Sequence, residues 1–323
     1  MKKRELGQYY TIQNPFTLEP FKQWFFKIKT ENKTILEPFA GANNIPLLMM
    51  EVDDDLIWDC FDIEPSKKNK TSRFKIIQKD TIENFPYGYD ICITNPPYLG
   101  KSSASRRKIP FPETKYDDLY KLCLDIMLKN CKYVAAIIPE SFITAELFHN
   151  RLNCVISLQC EMFDDTECPV CLALFNFEER QDFDIYKMNQ KVGTYLELQK
   201  FYPTSNIKNR WKFNDPKGNI GVKCVDNQKE PSIKFINGEE IPETSIKVSS
   251  RALTRISGLS KNINEAIFIK KCNEILNKYR EETYDVFMTS FKGLRKDGQY
   301  RRRLDFETIR LIMNKALEEL NEN

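Results

Sequence analysis

Six short apolar runs recur through the first 180 residues, and helix-like segments separate them. TILEPF (34–39), LIWDCFDI (56–63) and FKIIQKD (74–80) come first; YDICITN (89–95), YVAAIIP (133–139) and VCLALFNF (170–177) follow in the same style. Between the fourth and fifth runs, DLYKLCLDIMLKN (118–130) carries apolar residues at helical spacing. Near-continuous apolar strands alternating with helices predict a mostly parallel twisted sheet covered on both faces, an α/β architecture. In such sheets ligands bind beyond the carboxyl ends of the strands.

The fourth run ends in an unusual way. ICITNPPY (91–98) drives a strand into two prolines, which have no N–H for a sheet ladder. If YDICITN is a strand, Asn95 stands at its carboxyl end, over the ligand crevice. The prolines then fix a stiff turn holding the Asn95 side chain and the Pro96 carbonyl in one orientation. Two fixed acceptors suit a planar amino group with two N–H donors, and Tyr98 offers a flat face for a ring.

The pattern changes after about residue 190. FYPTSNIKNRWKFNDPKGN is polar and turn-rich, and NEAIFIKKCNEILNKY (264–279) and FETIRLIMNKALEEL (306–320) read as amphipathic helices. A boundary near 185–195 divides the chain into domains of 1–190 and 191–323. Residues 1–190 carry 24 Lys/Arg against 28 Asp/Glu, whereas 191–323 carry 25 against 18. The basic balance of the second part suits an anionic partner. FKGLRKDGQYRRR (291–303) concentrates six Lys/Arg with Phe291 and Tyr300 interleaved, and SSRALTRISGLSK (249–261) is a second basic segment.

Other features exclude whole classes. No apolar run approaches the roughly 20 residues that span a bilayer, and MKKRELGQYY has no apolar stretch behind its lysines. Ten cysteines without a secretory signal suggest reduced thiols in a cytoplasmic protein rather than a disulfide framework. Cys168 and Cys171 form a close pair with no second pair at zinc spacing, so CPVCLALF reads as a buried strand and no metal is expected. His149, the sole histidine, reads as a surface residue in FHNRLN.

NPPY after Asp90-Ile-Cys-Ile-Thr-Asn95 resembles the catalytic motif of amino-group methyltransferases dependent on S-adenosylmethionine (SAM). The remaining motifs stand in the order of the gamma-type DNA adenine N6-methyltransferases, over roughly residues 4 to 178. Gly7-Gln8-Tyr9-Tyr10-Thr11 resembles the segment that lines the methionine end of the cofactor. Ile35-Leu36-Glu37-Pro38-Phe39-Ala40-Gly41 resembles the first strand and its glycine turn, with Glu37 facing the ammonium. The usual Gly-x-Gly is here Gly41-Ala42-Asn43, and asparagine tolerates the left-handed conformation such a turn needs. By the same resemblance Asp62 holds the ribose hydroxyls, Ile63 lies against the adenine of SAM, and Asp80-Thr81 meets the adenine amine. Phe163 is the aromatic that packs on the target base.

What the resemblance implies is a Rossmann-like methyltransferase domain with a smaller DNA-recognition domain. Its catalytic residues are Asn95, Pro96, Pro97 and Tyr98, and its cofactor is SAM. The substrate is adenine rotated out of double-stranded DNA, in a restriction–modification system whose cognate endonuclease acts at the same site without a stable complex. LGKSSASRRKIPF (99–111) is expected as a mobile loop, with Lys101, Arg106, Arg107 and Lys108 on phosphates. Arg251, Arg255, Lys292, Arg295, Lys296, Arg301, Arg302 and Arg303 are further DNA contacts. RNA adenine or protein glutamine as the substrate, and a non-catalytic DNA-binding subunit, are the alternatives.

Overall fold

In the computed structural model the described residues are 11, 13–29, 34–65, 73–164 and 166–321. They fall into two compact units, Met1–Tyr195 and Leu196–Asn323.

The first unit is built on a nine-stranded sheet. Its strands are β1 (Ile35–Glu37), β2 (Trp58–Asp62), β3 (Ile76–Gln78), β4 (Ile91–Thr94), β5 (Tyr133–Pro139), β6 (Leu152–Ser157), β7 (Val170–Phe175), β8 (Asp184–Lys187) and β9 (Gln190–Thr194). Their spatial order is β3-β2-β1-β4-β5-β7-β6-β8-β9. The strands from β3 to β5 are all parallel, β7 runs antiparallel to both β5 and β6, and β6 and β8 are parallel. Chain order reverses between β1 and β4, and at such a point two strand ends splay apart to open a crevice. The expected mostly parallel α/β sheet is present from β3 to β5, and it is extended by a partly antiparallel edge of β7, β6, β8 and β9 that makes the whole sheet mixed.

Helix α1 (Glu19–Ile28) buries Phe21, Trp24, Phe25 and Ile28, one stripe at helical spacing, with Phe21 and Phe25 stacked 5.6 Å apart. Helix α2 (Asn44–Met49) follows β1. Helix α4 (Leu119–Asn130) begins where Asp118 accepts the Tyr120 N–H, and it buries Leu119, Tyr120, Cys123, Leu124, Met127 and Leu128. Between β4 and α4 stands α3 (Lys101–Arg107). Residues 99–111 are thus not simply a loop. Ala104 is fully buried and anchors the helix, Arg106 and Arg107 are in its last turn, and Lys108 closes it in the left-handed conformation. His149 is also not a simple surface residue. It is half-buried, edge-on to Phe142, Phe183 and Tyr195, and burial lowers its pKa.

In the second unit, α5 (Tyr195–Gln199) leads into an antiparallel sheet of order β10-β13-β11-β12, formed by β10 (Lys212–Phe213), β11 (Ile220–Lys223), β12 (Lys234–Asn237) and β13 (Leu253–Ser257). Helix α6 (Glu265–Thr283) lies against β12 and against α7 (Phe306–Asn321). A hairpin of β14 (Thr289–Leu294) and β15 (Tyr300–Arg303) precedes α7. Among the described residues no helix is long and apolar enough to cross a membrane.

Candidate active site

A cavity of about 550 Å³ opens at the carboxyl ends of β1 and β4. Glu37 ends β1 and Thr94 ends β4, on neighbouring strands. The Thr94 hydroxyl is 2.5 Å from Glu37 Oε1, and the Phe39 N–H donates to the same oxygen at 3.0 Å. Glu37 Oε2 is buried and has no hydrogen-bond partner among the described residues. Burial raises this carboxyl to about 8, against the hydrogen bonds of Thr94 and Phe39 and with the help of the Asp62 charge. A buried carboxyl lining a cavity, with one oxygen unsatisfied among the described residues, is suited to a cationic partner.

The turn after β1 places Asn43 in the left-handed conformation. Gly41 has φ 55° and Asn43 has φ 59°, ψ 31°. The Asn43 amide is buried and donates to the Phe74 carbonyl at 2.7 Å. Asp62, at the end of β2, accepts from the Gly41 N–H at 2.8 Å and the Glu64 N–H at 2.8 Å. Its carboxylate is thereby fixed at the cavity wall beside Ile63, which is largely exposed. Asp80 accepts the Ile82 and Glu83 N–H groups, and Thr81 donates to the Pro38 carbonyl at 2.9 Å, tying two strand-end turns together.

Glu37, Phe39, Gly41, Asp62, Ile63, Asp80 and Thr81 thus converge on one cavity, with Thr11, Asn95 and Pro97 completing it. Pro38 is buried and does not line it. Gln8, Tyr9 and Tyr10 lie outside the described residues. A carboxyl with one oxygen unsatisfied among the described residues, a strand-end carboxylate and an apolar wall fit a nucleoside that bears a cationic amino-acid tail. Asn44, Leu99, Ile109, Pro110 and Leu119 also line the cavity, though none of them stood out in the sequence. Asn44 donates to the Thr11 carbonyl at 3.0 Å. Its position next to the glycine turn was the available signal.

At the end of β4 the strand stops where the prolines begin. Tyr98 is half-buried, and its hydroxyl is 2.6 Å from Asn95 Oδ1 and 2.6 Å from the Ile137 carbonyl. Its ring stands edge-on to Tyr120 and Phe163. Phe163 is only 3% exposed and bridges to Thr11, so it is a core residue rather than an open loop aromatic.

The basic residues separate into two groups. Lys101, Arg106, Arg107, Lys108, Arg251, Lys292 and Lys296 are exposed. Arg255, Arg295 and Arg302 are not available to DNA in this arrangement. Arg255 donates to the Gly218 and Ile241 carbonyls, Arg295 is ion-paired with Asp226 and Asp297, and Arg302 is 1% exposed. Arg301 donates to the Asp226 carbonyl and lies over the Phe291 ring, and Arg303 is half-buried. One surface feature escaped the sequence reading. Arg251 lies 5.1 Å from the Phe306 ring, Phe306 stacks on Phe213 at 4.7 Å, and Arg310 lies 5.1 Å from Phe213, making a four-layer ladder.

Residues 24–159 match the family described as Eco57I restriction-modification methylase. No curated protein sequence matches the chain. Among solved structures, the chain is similar to the methyltransferase subunit of a type I restriction-modification system from Streptococcus thermophilus. That likeness has 16% identity and a TM-score of 0.42, covering 58% of this chain and 50% of the subunit. The type IIG restriction endonuclease BpuSI is similar at 15% identity and TM-score 0.41, over 58% of this chain and 28% of that one. Human methyltransferase 10 domain containing protein follows at 11% identity and TM-score 0.34, over 53% and 85%. The chain therefore spans about half the length of the Streptococcus subunit.

Proposed function

We propose that this chain transfers a methyl group from SAM to the exocyclic N6 amine of an adenine rotated out of double-stranded DNA, as the modification enzyme of a restriction–modification system. The observation that carries the reading is the juxtaposition in one cavity of Asn95, in its proline-stopped turn, with the buried Glu37, whose Oε2 has no hydrogen-bond partner among the described residues. The match of residues 24–159 to a restriction-modification methylase family supports it.

When bound, SAM supplies a methyl group on a positively charged sulfur, which keeps the electron pair as the S–CH3 bond breaks. Glu37 would hold the ammonium of its methionine tail, Asp62 the ribose hydroxyls, and Ile63 with Asp80 the adenine. The adenine amine is a poor nucleophile because its lone pair is delocalised into the ring. Acceptance of its two N–H groups by Asn95 Oδ1 and the Pro96 carbonyl favours a tetrahedral nitrogen with its lone pair aimed at the methyl. Catalysis is then chiefly positioning and electrostatic complementarity. The methylated nitrogen gives its extra proton to water, so no base, cysteine nucleophile or covalent intermediate is required. A base inside a duplex cannot reach such a cavity, hence the rotation. The exposed basic residues of 101–108 and of the second unit would hold the phosphates.

The test is transfer from methyl-labelled SAM to unmethylated DNA of mixed sequence, to RNA and to protein, followed by nucleoside analysis. N6-methyladenine in DNA, lost in Asn95→Ala, is the expected result. Label confined to RNA or to protein glutamine overturns the choice of substrate, and no label despite SAM binding overturns the activity.

A further inference from the structure

The hydroxyl of Tyr98 has one hydrogen, yet it stands 2.6 Å from each of two oxygens, Asn95 Oδ1 and the Ile137 carbonyl. Both are acceptors, so one hydrogen cannot satisfy both contacts, and two oxygens that close repel unless a hydrogen lies between them. The other end of the Asn95 amide, Nδ2, lies 3.5 Å from Thr11 Oγ1.

The two ends of a carboxamide have the same shape and differ only in hydrogens, so the contacts decide which end points where. Exchanging them satisfies all three. Nδ2 donates to the Tyr98 oxygen, the Tyr98 hydroxyl donates to the Ile137 carbonyl, and Thr11 Oγ1 donates to Oδ1. The direction of the chain is set by its far end. A backbone carbonyl can only accept, so Tyr98 must donate to it, and the Tyr98 oxygen must then accept from Asn95.

The fold keeps that end in place. The β4–β5 ladder finishes at the Thr94–Ala136 pair, so Ile137 is the next β5 residue beyond it. Pro96 and Pro97 cannot extend the ladder, because they have no N–H. The Tyr98 side chain turns back to the Ile137 carbonyl at the point where the backbone cannot. Ile137 itself is fully buried, paired with Leu172 of β7.

We propose that Tyr98 is a positioning residue whose hydroxyl, anchored on the Ile137 carbonyl, turns the Asn95 amide so that its oxygen and not its NH2 faces the substrate amine. This rests on the methyl-transfer reading above. With the amide reversed, two N–H donors would confront the two N–H donors of the target, and the amine would be repelled rather than activated. The ring of Tyr98 and its hydroxyl therefore have separate tasks, and Tyr98→Phe removes only the second.

The experiment pairs kinetics with a readout that needs no activity. In protein labelled at asparagine nitrogen, the Asn95 NH2 signal is identified by its loss in Asn95→Ala. Magnetisation transfer from those protons to the Tyr98 ring is expected. Transfer to the Thr11 methyl instead overturns the proposal, whatever the enzyme turns out to methylate. In kinetics, Tyr98→Phe is expected to lower kcat about tenfold or more, with KM for DNA and SAM affinity changed by less than about twofold. In an Asn95→Asp background both oxygens accept, orientation no longer matters, and the same change is expected to cost under about threefold. An equal loss in both backgrounds, or a Tyr98→Phe enzyme as fast as the parent, overturns the proposal. If Asn95→Asp has no turnover, the Asn95 amide signal decides. Absence of any methyl transfer by the parent protein would overturn the proposed function and leave the amide result to judge the orientation.

Discussion

The Thr94 hydroxyl lies 2.5 Å from Glu37 Oε1, so that one oxygen of this buried, cavity-lining carboxyl is satisfied and the other has no hydrogen-bond partner among the described residues. Two neighbouring strands thus prepare half of an ion-binding group and leave the other half for a ligand. Burial, the larger influence, holds the Glu37 carboxyl at about 8, so it is mostly protonated at pH 7 in the ligand-free protein. A cationic ammonium beside Oε2 favours the charged form. Binding of SAM at pH 7 should therefore release close to one proton. Calorimetry in two buffers of different ionisation enthalpy reads that release directly, and Glu37→Gln should abolish it. Equal enthalpies in the two buffers would remove Glu37 from the ammonium site.

The same carboxyl fixes the sign of a stability effect. Its folded pKa is raised from the usual 4.5, so the folded state keeps a proton that the unfolded state has already lost. Its contribution is intact below pH 4.5 and is lost as pH rises from there through about 8. Thermal melting of the ligand-free protein should show that limb, and Glu37→Gln should flatten it. A melting profile with the same slope in both proteins would count against the burial of a neutral carboxyl.

The second unit carries an ionic core around Asp226. Arg280 approaches it at 2.9 Å and Arg295 at 3.0 Å, and Asp285 pairs with Arg280 at 2.8 Å. Burial alone would raise the Asp226 carboxyl, but the hydrogen bonds and charge of Arg280, with the Ser232 and Ile233 amides, bring it below its usual value. Asp226→Ala removes the most buried carboxylate of this cluster while Arg280 keeps Asp285 and Arg295 keeps Asp297, and should cost about 3 kcal/mol in urea unfolding. Because the folded pKa is lowered, the contribution is present above the usual value of 3.8 and is lost as pH falls through the folded one. An acid unfolding midpoint unchanged by Asp226→Asn would refute the assignment.

That core also explains where sequence reading stopped. FKGLRKDGQYRRR is basic enough to look like a nucleic-acid contact, but in β15 the side chains alternate, and Arg302 points inward. Arg295 meets Asp226, a carboxylate 69 residues earlier, and no local pattern advertises a pair so distant in sequence. By contrast, the end of β4 was legible. A short apolar run striking two prolines reads as a strand that stops, and the order of β1 and β4 then brings Asn95 and Glu37 to one crevice. The partner of Glu37 was not legible, since Thr94 is one more position in a buried strand until β1 is laid beside it. Strand β6 was missed for a related reason. Asn153 interrupts its apolar run, and only its neighbours β7 and β8 make it a strand.

The Arg251–Phe306–Phe213–Arg310 ladder offers two exposed guanidinium groups whose planes are steadied by aromatic rings. If they meet phosphates, Arg251→Ala with Arg310→Ala should weaken binding to duplexes of any sequence and reduce the slope of log affinity against log salt by about 1.8. Arg302→Lys should instead act on stability, since Arg302 is held inside the unit and donates to Ser290 at 2.8 Å. Filter binding across salt concentrations separates the two. An unchanged salt slope in the double variant would take the ladder out of the DNA interface.

Lys108 allows charge to be tested apart from shape. It ends α3 at φ 56°, ψ 38°, a left-handed conformation in which a side chain is unfavourable and glycine is at ease. Its N–H already caps the Ala104 and Ser105 carbonyls, and glycine retains that N–H. Lys108→Gly should therefore raise stability, by roughly 0.5–1 kcal/mol. It should leave SAM affinity unchanged, because Ile109 and Pro110 and not Lys108 line the cavity. Yet it removes an exposed cation beside the cavity mouth and should lower DNA affinity, with the salt slope reduced by about 0.9. Melting, calorimetry with SAM and DNA titration on one variant make the comparison. A variant that is both more stable and equally tight on DNA would show that Lys108 ends a helix and does nothing more.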